Sequence, residues 1–320
     1  MIQPRAAPVV AALLVDALLG EPPLTAHPVV LMGKAISAFE REALAIKNAR
    51  HARAAGALLA VTLPTLSFAL VHAVLRLAPR RLRPLLEVGM LSTALSLRGL
   101  SRSALAVERE LGDGNLPTAR IRVGELVGRD TEHLSTNEVA RAVVESVAEN
   151  ASDGVVAPML YGLFFGAPGA LAYKSVNTLD SMVGHPHPPY KNLGWAPARL
   201  DDLANLIPAR FTVLLTAAAS GSPRSAAATL EAARLYGSLT RSPNAGWSEA
   251  AFAGALQLRL GGANSYGGVV REGPILGDGR LPEARDIRRV VRLMRRACLL
   301  FSALITFAPD KALDWAGAGG

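Results

Sequence analysis

Apolar and polar positions fall along this chain in long blocks rather than alternating residue by residue. Two blocks carry no formal charge, 54–75 and 155–173, and each is close to the roughly 20 apolar residues a membrane-spanning helix needs. Shorter apolar runs occupy 6–19, 88–97, 211–223 and 297–309. Each alone fits a buried core helix or a re-entrant segment. Asp16 interrupts the first of these, and because a carboxylate is costly in lipid, that helix is expected to face protein or water.

Between the blocks the pattern predicts helices with defined ends. "RLAPRRLRP" (76–84) carries prolines that break any continuous helix between two apolar segments. An amphipathic helix is expected over 101–116, ending at the turn signal "GDGN". "STNE" (135–138) is a capping box, with Ser135 as N-cap and Glu138 reaching back, opening a helix from 136 to about 150. Helical patterns resume at 225–239 and at 248–260, the latter stopped by Gly261 and Gly262. "NSYGGVVREGPILGDG" (264–279) reads as a loop. No strand pattern persists and no internal repeat is visible. The expected class is therefore all-α: a polytopic integral membrane protein whose polar loops and amphipathic helices form a site at the membrane surface.

Composition sharpens this reading. Charged residues make up 19% of the 320, against about a quarter in soluble domains, and the mean hydropathy is +0.27. The net charge of +8 does not point to nucleic acid, because only 5% of residues are aromatic and no RNA- or DNA-reading motif occurs. In "EARDIRRVVRLMRRACLLF" (283–301), Arg285, Arg288, Arg289, Arg292, Arg295 and Arg296 make a basic face leading into an apolar run. Such clusters lie on the cytoplasmic side of spans and attract anionic lipid. Cys298 is the sole cysteine, which excludes an intrachain disulfide and a Cys-based zinc site, and is expected to act as a small core residue. The N-terminal run is weakly like a signal peptide, but no small-residue cleavage site precedes "GEPP", so it is expected to be retained.

The candidate chemistry begins at "VVESVAENASDGVVAP" (143–158), where Glu145, Glu149 and Asp153 stand four residues apart. Like charges on one helix face repel by a few tenths of a kcal/mol. A surface salt-bridge ladder through Glu138, Arg141 and Glu145 absorbs two of the charges, at roughly half a kcal/mol per pair. It leaves Glu149 and Asp153 unexplained, although Asn150, Asp153 and Gly154 also suit a helix end. "YKSVNTLDSMVGHPHPPY" (173–190) then supplies Lys174, Asn177 and Asp180 at three-residue intervals. A turn at "GAPGA" (166–170) would bring the polar ends of the apolar run to one surface. Carboxylates beside an amide suit Mg²⁺, which is held by one or two carboxylates plus substrate phosphates. Lys174, Arg129, Arg199 and Arg210 suit phosphate oxygens. This is a nucleotide-and-magnesium constellation without a P-loop. His185 and His187, either side of a proline, read as a loop, His27 as a turn residue, and no G-x-S-x-G elbow supports a serine hydrolase.

Five blocks then carry a resemblance: "DALLGEPPLTAHPVVLMGK" (16–34), "VGRDTEHLSTNEVARAVVESVAENASDGVVAPMLYG" (127–162), "NTLDSMVG" (177–184), "ARLDDLANLIPAR" (198–210) and "SPNAGWSEAAFAGALQLRLGG" (242–262). In this order they resemble the CobD/CbiB family of membrane-bound adenosylcobinamide-phosphate synthases, almost end to end. The resemblance implies a multi-pass enzyme of the cytoplasmic membrane that joins adenosylcobyric acid to (R)-1-aminopropan-2-yl phosphate, or to ethanolamine phosphate, using ATP and Mg²⁺. It implies one domain over 1–320: membrane-associated at 6–100, with polar catalytic segments at 120–154 and 174–210 and C-terminal helices at 225–309. Later membrane enzymes of the same pathway are possible partners.

On these blocks we expect Glu149, Asp153 and Asp180 at Mg²⁺ with Glu145 behind them, and Arg129, Lys174, Arg199 and Arg210 at phosphates. Asn150, Asn177 and Asp202 would bind or orient substrate, and Glu149, Asp153, Lys174 and Asp180 would carry catalysis. Asp130, Asp201, Asn205, Asn244 and Tyr266 share the blocks but also suit structural roles. Two positions depart from the family habit: Glu21 stands for an aspartate, and His185 for a frequent tyrosine. Rival readings are a regulatory sensor of the AmpE type and a corrinoid carrier without catalysis. No repeat supports the carrier.

Overall fold

The computed structural model describes residues 5–20 and 27–307; Glu21 and the end of the 297–309 run lie outside them. The described chain is mostly helical and falls into two compact units.

The first unit takes its residues from Met1–Ser96, Ala157–Asn205 and Leu304–Gly320. It contains α1 (Ala6–Leu19), α2 (Pro28–Ala43), α3 (Ala49–Leu77), α4 (Arg83–Ser92), α8 (Ala157–Val183) and α9 (Trp195–Ala204). Local chemistry sets the ends. His27 Nδ1 accepts the Val29 N–H at 3.3 Å and caps α2, with Pro28 at the first turn, so the turn expected at His27 is a helix cap. Asn48 Oδ1 caps α3 by accepting from Arg50 and His51. The break expected at 76–84 separates α3 from α4. Ile36, Leu59, Ala60, Leu179 and Val183 form a core between α2, α3 and α8.

α3 is long and apolar enough to cross a membrane, but only 17% of its apolar window is buried. Leu58, Val61, Leu66 and Leu70 are all more than half exposed. The second such stretch, Thr136–Val183, is 72% buried. These two apolar helices suggest membrane association. Gly166 interrupts α8 at φ 68°, ψ −164°, with Pro168 just beyond, so the turn expected at "GAPGA" is a break between two helices. The Arg5 guanidinium, paired with Glu87 at 2.6 Å, lies where a Cβ on Gly166 would stand.

The second unit takes its residues from Leu97–Val156 and Leu206–Ala303. It holds α5 (Leu97–Gly112), α6 (Leu116–Gly124), α7 (Thr136–Ala151), a π turn (Ser152–Val156), α10 (Leu206–Ala219), α11 (Pro223–Tyr236), α12 (Ala245–Leu256) and most of α13 (Ala284–Phe307). α7 starts at the expected capping box, with both the Ser135 and the Glu138 hydrogen bonds formed. From Val139 to Ala148 every residue of α7 is buried, with α5, α6 and α12 around it.

The expected loop over 264–279 is instead built from small antiparallel ladders. β1 (Leu260–Gly261) pairs with β4 (Ile275–Leu276), and β2 (Asn264–Tyr266) pairs with β3 (Val269–Arg271). Gly267 and Gly268, both at positive φ, form the two-residue hairpin turn. The fold is thus mostly helical with a few small strands rather than all-α as expected, and these strands, two or three residues long, are too short to display alternation in the sequence. On α13, Arg285, Arg288, Arg292, Arg295 and Arg296 are exposed as foreseen, whereas Arg289 leaves that face to bind Asp286 at 2.6 Å. Cys298 is buried in the core, as expected.

Candidate functional site

In the second unit the sequence places two arginines around one acid. Glu145 Oε1 accepts the Gly261 N–H at 2.7 Å and Arg141 Nη1 at 3.3 Å, and Oε2 accepts Arg129 Nη2. Arg141 also donates to the carbonyls of Gly261 and Ala263 and to Asn264 Oδ1, which Arg129 Nη1 reaches as well. The three charged side chains are only 7–11% exposed. The Arg141–Glu145 contact is therefore a buried triad with Arg129 rather than the surface ladder that four-residue spacing suggested. In the interior, such a group holds together only with near-complete hydrogen bonding. Backbone around Gly261 and Gly262, both at positive φ, supplies it.

Asp130, next to Arg129, turns the other way. Its backbone N–H donates to Ser265 O at 2.8 Å, and its carboxylate accepts from Ser265 Oγ, Gly267 N and Gly268 N. These bonds, the Ser265 hydroxyl foremost, hold its carboxyl below the usual aspartate range. The adjacent pair thus splits its work: Arg129 enters the site and Asp130 clamps the β2–β3 hairpin.

Beside the triad lies a cavity of about 300 Å³ lined by Arg129, Glu145, Glu149, Asn150, Glu249 and Asn264 among others. Glu149 is exposed at its edge, and Asn150 is half-buried, donating to Ser146 O at 2.9 Å. Glu249, on α12, is the residue the sequence reading passed over. Its side chain is half-buried, and burial first, then the nearby Glu149 and Glu145, push its carboxyl well above the usual glutamate range against the pull of Arg129 and Arg141. The available signal was its isolation: it is the only charge in the apolar stretch "AGWSEAAFAGAL". Asn264 was missed because it lies in what read as a loop. Tyr266 lines the cavity from β2.

Asp153 sits half-buried in the π turn that follows α7. Arg210, expected at a phosphate, is engaged by Asn244 Oδ1 at 2.6 Å, by the carbonyls of Pro243 and Leu206, and by the Trp247 ring at 4.8 Å. It fastens the turn before α12.

The remaining expected residues belong to the first unit. Lys174 Nζ reaches Asn177 Oδ1 at 3.5 Å, Asn177 Nδ2 reaches Asp201 Oδ1 at 3.5 Å, and Asn205 Nδ2 reaches Asp201 Oδ2 at 3.0 Å. Tyr173 OH donates to Asn205 Oδ1 at 2.7 Å, and the Tyr161 and Tyr173 rings stack at 4.8 Å. Burial raises the Asp201 carboxyl to about 6, despite the two asparagine bonds and Lys174. Arg199 pairs loosely with Asp202 at 3.5 Å near solvent. The Asp180 carboxylate occupies the space a Cβ on Gly184 would need, which explains the glycine closing "NTLDSMVG".

Among the described residues no group of three or more His, Cys, Asp or Glu is arranged to hold a metal ion. The exposed loop of His185 and His187 accordingly forms no such group. Both Glu145 oxygens are committed within the protein. Single carboxylates completed by phosphate oxygens still fit magnesium, since that ion needs only one or two from the protein.

Comparison with known proteins places the chain. No solved structure matches it. The family profile described as CobD/Cbib protein matches residues 9–294. A protein of Klebsiella pneumoniae subsp. pneumoniae, named cobalamin biosynthesis protein CobD, is 42% identical over 300 residues, covering 92% of this chain and 94% of that protein. The CobD of Halalkalibacterium halodurans is 38% identical, covering 92% and 93%. A protein named cobalamin biosynthesis protein CbiB, from Salmonella arizonae, is 40% identical, covering 93% and 95%. With nearly the whole chain aligned to such relatives and the blocks around Arg129, Glu145 and Glu249 folded into one cavity, the chain belongs to the CobD/CbiB family.

Proposed function

We propose that this chain acts in cobalamin biosynthesis as an adenosylcobinamide-phosphate synthase. It would form the amide between adenosylcobyric acid and (R)-1-aminopropan-2-yl phosphate, or ethanolamine phosphate, consuming ATP. The observation that carries this reading is the cavity of the second unit, where a fixed guanidinium, Arg129, shares the lining with the carboxyl groups of Glu145, Glu149 and Glu249. An amine and a carboxylate do not condense in water until one carboxylate oxygen becomes a leaving group, and phosphorylation by ATP supplies that. Arg129, preorganised by Glu145 and Asn264, is placed to offset charge on a phosphoryl oxygen without reorganising during the reaction. A carboxylate at the cavity is suited to take a proton from the incoming ammonium.

Magnesium would be held chiefly by nucleotide phosphates with Asp153 as the protein carboxylate, and its chemistry there is charge neutralisation. Through the family blocks they occupy, Asp180 is proposed at magnesium, Lys174 and Arg199 at phosphate oxygens, and Asn177 and Asp202 at substrate. The exposed apolar face of α3 supports a multi-pass protein of the cytoplasmic membrane in contact with lipid, and the basic face of α13 fits the cytoplasmic side. Later membrane enzymes of the pathway remain proposed partners. The test is turnover by detergent-purified protein with adenosylcobyric acid, aminopropanol phosphate, ATP and Mg²⁺, following the corrinoid by mass. ATP-dependent appearance of the amide product is expected. Its absence from folded protein that still binds corrinoid would refute the ligase.

A further inference from the structure

Resting on the ligase reading for the identity of the ligand, we infer that one face of the β2–β3 hairpin is the seat of the corrin macrocycle, with the Tyr266 ring stacked against it. Size comes first. The cavity beside Arg129 has a volume of about 300 Å³, at the low end of the roughly 300–1,000 Å³ pockets that enclose drug-sized ligands. That is room for a phosphoryl group and a small amine, whereas a corrin macrocycle is larger than the ligands such pockets enclose. Only the carboxyl-bearing edge of the corrinoid can enter, and its ring has to lie against protein outside the mouth.

Strand register decides which side chains stand there. Asn264 pairs with Arg271, and Tyr266 with Val269. Alternation along the strands puts these four on one face of the hairpin and the Ser265–Val270 pair on the other. Asn264 and Tyr266 line the cavity, so the first face is the one that continues outward from it. On that face Tyr266 and Val269 are 42% and 57% exposed. The Arg271 guanidinium lies over the Tyr266 ring, 5.5 Å from its centre, and restrains it.

The backbone beneath is fixed. Asp130 accepts from Ser265 Oγ and from the Gly267 and Gly268 N–H groups, and Asn264 Oδ1 accepts from Arg129 and Arg141. An exposed aromatic on a hairpin held in this way is preorganised, so little ordering opposes binding of a flat ligand. With Val269 beside the ring, the surface is two strands wide and open on one side. It suits the broad face of a macrocycle better than a single nucleobase, and Tyr266 is the residue that positions the corrinoid with its carboxyl edge toward Arg129.

The test is hydroxyl-radical footprinting of the full-length protein in detergent, in the dark, with adenosylcobyric acid alone and with ATP alone, joined to the affinities of three variants. In wild type the corrinoid should protect the Tyr266 ring from oxidation and ATP should not. Tyr266→Ala should weaken corrinoid binding about tenfold, the usual effect of losing a stacked aromatic, and leave ATP binding unchanged. Tyr266→Phe should keep wild-type affinity, as should Val270→Ser on the opposite face of the same hairpin. An unprotected Tyr266 in wild type saturated with corrinoid overturns the inference without reference to any variant, so misfolding of Tyr266→Ala cannot shield it. Protection by ATP, or a loss of ATP affinity in Tyr266→Ala, overturns it in favour of a base-stacking seat. Equal losses in Tyr266→Ala and Val270→Ser overturn it as a general loosening of the hairpin. Amide product from wild type in any of these cases leaves the ligase reading standing. Protection of Tyr266 by a corrinoid that is never converted keeps the seat and removes the ligase, and a wild type that binds no corrinoid removes both.

Discussion

Replacing Glu145 with glutamine removes the anion that bridges Arg129 and Arg141. Both guanidiniums then remain in a region where their side chains are only 7% and 8% exposed, with carbonyls and Asn264 as hydrogen-bond partners and, among the described residues, no carboxylate in ion-pair contact. Removing one partner of a buried ion pair typically destabilises by about 3–5 kcal/mol. The Gly261 N–H, now 2.7 Å from Glu145 Oε1, loses a charged acceptor, but that loss overlaps the first and is not added to it. A surface ladder of the kind the four-residue spacing suggested would lose only about 0.5 kcal/mol. The two accounts differ by a factor of six or more. For a unit of roughly 150 residues, about 4 kcal/mol lowers the melting temperature by roughly 10 °C. The assay is thermal unfolding of the detergent-solubilised variant, followed by tryptophan fluorescence. A fall of less than about 2 °C would refute the buried-triad reasoning.

Three further outcomes follow from local geometry. Asp201, ordinarily near 3.8, titrates at about 6 in the fold, so the native state holds its proton longer than the unfolded chain. Stability should then fall by up to about 3 kcal/mol as pH rises from 4 to 6 and stay level above; Asp201→Asn should abolish that slope in melts taken across the range. Gly166→Ala should destabilise by about 1–3 kcal/mol, because φ 68° is strained for alanine and its Cβ would lie 1.8 Å from Arg5 Nη1; a melt within 1 °C of wild type would contradict this. Asp130→Asn should release the β2–β3 hairpin, seen as faster amide exchange over 264–271 with α7 unchanged, and equal exchange would show that the clamp does not act.

What the sequence made legible was what depends on neighbours in the chain. The capping box at Ser135 appears because its bonds span three residues, and the break at Gly166 because glycine and proline act on their own dihedrals. The apolar length of α3 was visible for the same reason. Burial of charge was not. In "TNEVARAVVESVAENA" the spacing of Arg141 and Glu145 is that of a solvent-facing pair, and only the run of valines and alanines on every other side hinted at an interior helix. The partners that decide the matter, Gly261, Ala263 and Asn264, lie more than 110 residues away. They come from a hairpin segment whose strands are too short to show a period. Glu249 showed locally only as a lone charge in an apolar stretch, while the Glu145 and Glu149 carboxyls that act on it come from another element, which no local pattern records.

The triad also allows stability and activity to be separated. A buried ion pair is weak evidence for stability, since apolar side chains of similar volume often replace it with a gain of about 1–4 kcal/mol. If Arg129, Glu145 and Arg141 served only to hold α7 against β1 and β2, then Arg129→Met/Glu145→Leu/Arg141→Met would be close to harmless. On the reading argued above the same variant should melt at or above the wild-type temperature yet form no amide, because no guanidinium would remain at the phosphoryl group and Asn264 would lose the donors that orient it. A stable triple variant with near-normal turnover would reduce the triad to packing and move the phosphate site elsewhere in the chain. An unfolded one would mean that the carbonyls of Gly261 and Ala263 cannot be left without their donor, a loss of about 1–3 kcal/mol each that the apolar gain fails to offset.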